Sequence, residues 1–341
     1  MRFGPVPLAE AEGAILAHSV RLDARRIAKG TLLGPDDIAA LEEDGQAEVV
    51  VARLEPGDVP ENEAAERLAA ALVPAPEAAC LRRAAPQAGR VNLHAAGLGL
   101  LQVDVDRVHA LNRLDPAVTF ATLAPFSVVQ PDMLVGTVKI ITYAVAGETL
   151  ARAAAVAAGA VRVREPQLKS AGLVLSLVGD DSDRLADKAV RAVADRLAAL
   201  GAALTDQRRV PHETDAIAEA LGSIGGEIAL VLTGAATCDP HDTAPEAVRR
   251  AGGTVTRFGM PVDPGNLLFY GRLTGRPVIG LPGCARSPAL NGADWVLERI
   301  VCGIEPDGDD IAAMGVGGLL KESPARPQPR EGRGPQLSAR R

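Results

Sequence analysis

Residues 233–242, TGAATCDPHD, end the apolar run ALVL in small residues and then set two carboxylates around a proline and a histidine. Two similar stretches recur along the chain: SLVGDDSD from Ser176 to Asp183, and GLPGCARS from Gly280 to Ser287. Small residues let backbone N–H groups come close to a ligand, and each stretch runs into a helical pattern. The first turn of a helix offers unbonded N–H groups and the positive end of its dipole, which favour an anion. Together the three stretches describe a site for a phosphorylated small molecule. Asp180, Asp181, Asp239 and Asp242 complicate it, because carboxylates repel a phosphate unless a cation intervenes. Hard oxygen ligands of this kind suit Mg2+, so a metal-assisted phosphate or oxyanion site reconciles the two features.

The same residues also have simpler roles open to them. Thr243 and Glu246 have the spacing of a capping box, and Pro245 suits a first helical turn. Ser287-Pro288 reads as another cap with a first-turn proline, and Asp242 is then a neighbour of a cap. Cys238, His241 and Cys284 offer three zinc-type ligands without a fourth. His94 and His109 stand isolated and read as structural or surface residues.

The elements that must position these stretches lie between residues 170 and 305. Apolar strands (GLVLSLVG, ALTDQRRV, EIALVLTG, TVTRFGM, PVIGLPG) alternate with helical patterns (RLADKAVRAVADRLAALG, TDAIAEALGSI, APEAVRRAGG, SPALNGADWVLERIVCG). GNLLFYGRLTGRP reads as a short hairpin. Nearly continuous apolar strands predict a mostly parallel sheet covered by helices on both faces, an α/β fold of three layers. Ligands of such sheets bind beyond the carboxyl ends of the strands, which is where the three stretches fall.

Smaller α+β regions precede this domain. In residues 1–80, PLAEAEGAILAHSV has a helical pattern, Pro35-Asp36-Asp37 starts a helix that Gly45 ends, AEVVVARL is a strand, and DVPENEAAERLAAAL is a helix. VPAPEAACLRRAAPQAG reads as a Pro/Ala-rich joint. In residues 88–166 the strands are VTFATL and GTVKIITYAV and the helices VDRVHALNRL and ETLARAAAVAAG, with no signature of chemistry. From residue 306 the chain becomes Gly-rich and then Pro- and Arg-rich, a composition that predicts disorder; such a basic tail either stays solvated or touches an anionic partner.

The chain of 341 residues has room for two or three domains, and 47% hydrophobic residues suffice for a large core. Aromatics are only 2%, so Ala, Val and Leu must fill it. A net charge of −7 argues against wholesale nucleic-acid binding. The four cysteines form no CxxC pair, which argues against a disulfide framework or a structural zinc. The start of the chain has no apolar signal core, and DMLVGTVKIITYAVAG is too short and broken to span a bilayer. A soluble, cytoplasmic protein without membrane or nucleic-acid partners is expected.

Residues 170–303 resemble the molybdopterin-binding domain of molybdenum cofactor biosynthesis, which occurs in molybdopterin adenylyltransferases and molybdopterin molybdenumtransferases. TGAATCDPHDTAPEA keeps Thr233, Gly234, Thr237, Pro240, Asp242, Pro245, Glu246 and Ala247 of that family's Thr/Ser-Gly-Gly-Thr loop and the Pro-Arg-Asp-Val-Thr-Pro-Glu-Ala run after it. LPGCARS resembles the Leu-Pro-Gly-Asn-Pro-x-Ser loop, and PGNLLFYGRL the Pro-Gly-Lys-Pro hairpin; order and spacing of the three agree. Residues 7–51 resemble the start of the molybdenumtransferases more weakly.

The resemblance implies that molybdopterin or its nucleotide form is held by Thr233, Gly234, Ala235, Ala236, Thr237, Gly265, Asn266, Pro282, Gly283, Arg286 and Ser287. It implies Asp181, Glu213 and Asp242 as catalytic residues and Mg2+ ligands, since each falls on an acidic position of the family to within one residue. The implied function is cofactor binding in molybdenum cofactor biosynthesis, with Mg2+-assisted molybdate insertion or nucleotidyl chemistry on the pterin phosphate. A non-catalytic carrier handing the cofactor to a nucleotidyltransferase or molybdoenzyme, and a nucleotide-processing enzyme of the same fold, are the alternatives. A homo-oligomer is also implied. The departures favour the carrier: Gly-Gly becomes Ala235-Ala236, Lys-Pro-Gly-Lys becomes Asp263-Pro264-Gly265-Asn266, and the loop asparagine becomes Cys284. Two cations are lost at a phosphate site, and Arg286 can restore one as a bidentate fork.

Overall fold

The computed structural model describes residues 1–320 apart from residue 24, residues 180–182 and residue 264. The chain divides into two compact units, Met1–Arg164 and Glu165–Arg341.

Among the described residues the first unit holds two apolar cores. One gathers Leu8, Ala11, Leu16, Leu33, Leu41 and Val51 around the antiparallel pair of strands Arg2–Pro7 and Glu48–Arg53. The other runs from Val59 to Val163 and includes the helices Glu61–Leu72, Val105–Leu114 and Gly147–Ala157. The helix expected in PLAEAEGAILAHSV does not form. A single 3-10 turn at Leu8–Glu10 gives way to the short strand Ile15–Leu16. Its apolar residues are buried as the helical pattern requires, but the backbone bonds elsewhere: Gly13 N–H donates to the Leu33 carbonyl and Leu16 N–H to that of Thr31, both at 2.8 Å. Gly13 sits at φ 71°, a left-handed conformation that costs glycine little and interrupts a helix. Within the Pro/Ala-rich joint, Leu81–Arg83 is a strand paired with Arg90–Ala95.

The second unit is the expected α/β layer structure. In chain order its elements are β1 (Ser170–Leu177), α1 (Asp183–Ala199), β2 (Ala203–Pro211), α2 (Thr214–Ser223), β3 (Ile228–Leu232), α3 (Thr243–Arg250), β4 (Thr254–Met260), β5 (Asn266–Leu273), β6 (Arg276–Leu281), α4 (Gly292–Val301) and α5 (Gly308–Ala313). Among the described residues they build a six-stranded sheet of order β2-β1-β3-β6-β5-β4. β2, β1, β3 and β6 run parallel, while β5 is antiparallel to both β6 and β4. Every residue of β3 is buried, as a central strand with helices on both faces demands.

The stretch read as a short hairpin is larger than its name. β5 and β6 are long strands inside the sheet, joined by Thr274 and Gly275 at φ 48° and 81°. Two successive positive φ values are those of a type I′ turn, whose twist matches paired strands. The hairpin also returns the start of β5 to the edge where β1, β3 and β6 end, so Asn266 joins the loops that leave those strands. Beyond β6, residues 306–320, expected to begin a disordered tail, contain α5, where Asp307 accepts the N–H groups of Asp309 and Asp310 at 2.8 Å. The rest of the tail lies outside the described residues. Among the described residues no helix is long and apolar enough to cross a membrane.

Candidate functional site

A cavity of about 500 Å3 opens at the carboxyl edge of this sheet. Its walls come from Thr233, Gly234, Ala235, Ala236 and Thr237 after β3, from Pro282, Gly283, Cys284 and Arg286 after β6, and from Asp263, Gly265 and Asn266 at the entry to β5. Ser287 stands outside the wall, its carbonyl bonded to Arg196.

Close approach decides the β3 loop. A Cβ on Gly234 would lie 2.9 Å from the Ser176 carbonyl oxygen and 3.0 Å from Val178. Gly234 N–H donates to Ser176 Oγ at 3.2 Å, and that hydroxyl pairs with His212 Nδ1 at 2.8 Å. Ser176 Oγ has two lone pairs and one proton, so it can accept from Gly234 and still pair with either tautomer of the ring. Ser176 is fully buried, so this three-way link ties the ends of β1, β2 and β3 together. Thr233 Oγ1 donates back to the Ala235 carbonyl at 2.6 Å, tightening the loop.

Among the described residues, two donors in the cavity wall have no acceptor. Arg286 gives one Nη2 hydrogen bond to the Thr233 carbonyl, but its Nε is buried and unpaired. Asn266 is 5% exposed; its Oδ1 accepts from Leu268 N–H at 3.1 Å and its Nδ2 is buried without a partner. Asp263, also buried, takes φ 45° and donates its N–H to the Gly318 carbonyl at 2.6 Å. The cavity therefore opposes one guanidinium to one carboxylate.

Asp242 and Glu213 are not part of the cavity wall. Asp242 is the N-cap of α3: Oδ2 accepts from Cys238 N–H at 2.9 Å and Oδ1 from Thr243 N–H at 2.7 Å. Glu213 is the exposed N-cap residue of α2, and its side chain makes no cap hydrogen bond. Asp181 lies outside the described residues. Among the described residues no group of three or more His, Cys, Asp or Glu side chains is placed to hold a metal. Cys238, His241 and Cys284 therefore form no such group, and the Asp181, Glu213 and Asp242 set has one member outside the described residues.

Comparison with known proteins bears on this edge. Residues 170–300 match the family described as a probable molybdopterin binding domain. Residues 5–53 match a family described as a domain of unknown function. No curated protein matches the chain. Among solved structures, the molybdopterin biosynthesis moea protein from Pyrococcus horikosii is 13% identical, with 89% of this chain and 75% of that one covered, at a TM-score of 0.31. Molybdenum cofactor biosynthesis protein B is 16% identical over 39% of this chain and 88% of its own, at a TM-score of 0.29.

Asp242 also has a structural role. The Cys238 N–H, then that of Thr243, hold its carboxyl below the ordinary carboxylate range; burial pushes the other way and the nearby His212 adds to the lowering. A lowered folded-state value means that the stability gained is complete above the unfolded value of about 4 and is lost as pH falls through the folded one. Asp242→Asn keeps one acceptor and loses the other, at a cost of about 1 kcal/mol near neutrality. Urea midpoints measured from pH 7 down to pH 3 are expected to converge for the two proteins as acid protonates Asp242.

Sequence reasoning missed the roles of Ser176 and His212, and read Asp263 only as the place of a lost lysine. Ser176 had a signal, a hydroxyl inside the otherwise apolar run GLVLSLVG, where a buried polar group requires a partner. His212 had none, because its partner Ser176 lies on another strand.

Proposed function

We propose that the second unit binds molybdopterin, as the pterin phosphate or its nucleotide form, and acts in molybdenum cofactor biosynthesis. The observation that carries the reading is the pair of buried, unpaired donors in one cavity, Arg286 Nε and Asn266 Nδ2. Each buried donor left unmade costs about 1–3 kcal/mol, so two in one wall point to an acceptor that arrives with the ligand. A phosphate ester meets that need, and a guanidinium is the side chain best matched to it. The volume is also apt, since small-molecule sites enclose about 300–1,000 Å3. Small residues at 233–237 leave the wall open to a flat ring system, with the Ala235 and Ala236 methyl groups as its apolar surface.

One observation favours a carrier over a catalyst. Both oxygens of Asp242 are engaged by backbone N–H groups, as a helix cap needs. A catalyst would need Asp181, Glu213 and Asp242 to share Mg2+; a carrier needs only the cradle. The deciding measurement is equilibrium binding of metal-free molybdopterin and of its AMP and CMP derivatives, with and without Mg2+ and molybdate. Binding without conversion supports the carrier. Mg2+-dependent conversion of one form to another supports the catalyst. Binding of nucleotides with no pterin preference favours a nucleotide-processing enzyme, and failure of every pterin form to bind overturns the proposal.

A further inference from the structure

Asn266 opens β5 in the cavity wall, and the fold fixes the sense of its carboxamide. Oδ1 accepts the Leu268 N–H at 3.1 Å. Turning the amide over would set Nδ2 against that N–H, donor against donor, so the acceptor end is committed to the backbone. Nδ2 is left as a buried donor with no partner among the described residues. Val262 and Leu268, on either side in the chain, are fully buried, and Asn266 itself is 5% exposed. The entry to β5 is tightly turned: Asp263 and Gly265 take φ 45° and 95°. A non-glycine residue in the left-handed region persists where its surroundings demand it, and such residues cluster at ligand sites.

The Asn266 donor is separate from Arg286 in place and in kind. The sheet order runs β3-β6-β5, and the Arg286 guanidinium is held by the Thr233 carbonyl just after β3. The Asn266 backbone therefore starts two strand spacings away, about 10 Å along the wall. Donors set at opposite ends of a wall suit two acceptors on one ligand better than a single phosphate. The guanidinium carries the charge that a phosphate calls for, whereas the carboxamide is neutral and suits a neutral acceptor. Nδ2 is also recessed behind the wall surface. A carbonyl oxygen stands about 1.2 Å proud of the ring that bears it, so it reaches a recessed donor where a ring nitrogen does not.

We propose that Asn266 determines which heterocycle the cavity accepts, by donating from Nδ2 to a carbonyl oxygen on the ring edge while Arg286 takes the phosphate. The inference rests on the pterin-phosphate reading of the cavity and adds a selectivity to it. The preferred ring is oxo-substituted, as a pterin is at its 4-position. An amino group at that position would meet Nδ2 donor against donor. A site built to hydrogen-bond one group rejects the analogue that leaves its buried donor unpaired.

The test compares two probes that differ at that one position, 6-hydroxymethylpterin phosphate and its 4-amino analogue, in equilibrium titrations of the full chain. The wild type is expected to bind the 4-oxo probe at least about tenfold more tightly, about 1.4 kcal/mol. Asn266→Asp keeps an acceptor for the Leu268 N–H and replaces the donor by an oxygen, so the ratio should fall below about threefold or reverse. Asn266→Ala removes the donor without adding a charge and should also bring the ratio within about threefold; it decides the matter if the aspartate variant fails to fold. The ratio isolates the ring contact, because any change in phosphate binding affects both probes alike. Equal binding of the two probes by the wild type overturns the role of Asn266 and leaves the pterin-phosphate reading standing. A preference that survives in both variants does the same, and so does an equal weakening of both probes, which would put Nδ2 on the phosphate. Failure of the wild type to bind either probe overturns the reading of the cavity and this inference with it, so the two failures are distinguishable.

Discussion

Arg286→Ala is expected to weaken molybdopterin binding by about 10- to 100-fold, or about 1.4–2.8 kcal/mol, in an equilibrium titration at neutral pH. The argument is geometric. Arg286 reaches the cavity from the 3-10 turn after β6, Gly283–Arg286, and one of its Nη groups is fixed by the Thr233 carbonyl. That contact joins the β6 loop to the β3 loop and leaves Nε without a protein partner. A charge-assisted hydrogen bond to a ligand contributes about 1.5–3 kcal/mol, which sets the expected range. Arg286→Lys keeps the charge but loses the planar fork, and should recover only part of the loss. An unchanged dissociation constant for Arg286→Ala would remove this side chain from the site. The urea midpoint serves as the control: binding lost with folding intact assigns the effect to the ligand contact.

How far this could be seen in the sequence depended on which kind of signal each part carried. The β3 and β6 loops announced themselves because three local facts coincided: an apolar run, small residues after it, and a helical pattern beyond. Strand periodicity and the rule that ligands sit beyond carboxyl ends then placed both loops on one edge. Asn266 and Asp263 were harder. They reach that edge because β5 runs antiparallel, and a stretch read as a short hairpin gave no hint of strand length. The unpaired state of Asn266 Nδ2 is a property of packing that no spacing encodes. The N-terminal helix failed for a related reason. Leu8, Ala11 and Ala14 have a spacing that fits a helical face, yet the carbonyls of Thr31 and Leu33 take the N–H groups that a helix would have used. Local pattern left two solutions there, and long-range pairing chose between them.

The largest loss of stability in the second unit is expected from Arg196→Met. Arg196 lies on α1 with a side chain only 11% exposed, and one guanidinium serves five acceptors. Nε pairs with Asp294 Oδ1 at 2.6 Å, Nη1 donates to the carbonyls of Ala192 and Ala285, and Nη2 to those of Ser287 and Ala289. The last three carbonyls belong to the segment between β6 and α4, which carries Arg286 into the cavity. Asp294 is itself committed, because its other oxygen caps the Asn291 N–H at 2.7 Å in the box that starts α4. Methionine fills much of the same volume but leaves a buried carboxylate without its cation and loop carbonyls without donors. Breaking a buried pair in this way costs about 3–5 kcal/mol, read as a fall in the urea midpoint at constant slope. Lysine restores one donor and one charge but not the fork, so Arg196→Lys should remain well below wild type. The neighbouring Glu298, held up at about 8 by burial and by the Asp294 charge, does not take over as a counter-ion problem at neutral pH because it is mostly protonated. The pair with Asp294→Asn separates the charge from the loop. If the stranded carboxylate dominates, the double variant loses less than the sum of the single changes by at least about 1 kcal/mol. If the carbonyls dominate, the losses add, and ligand affinity falls in every variant that lacks Arg196, because the segment that presents Arg286 has lost its anchor.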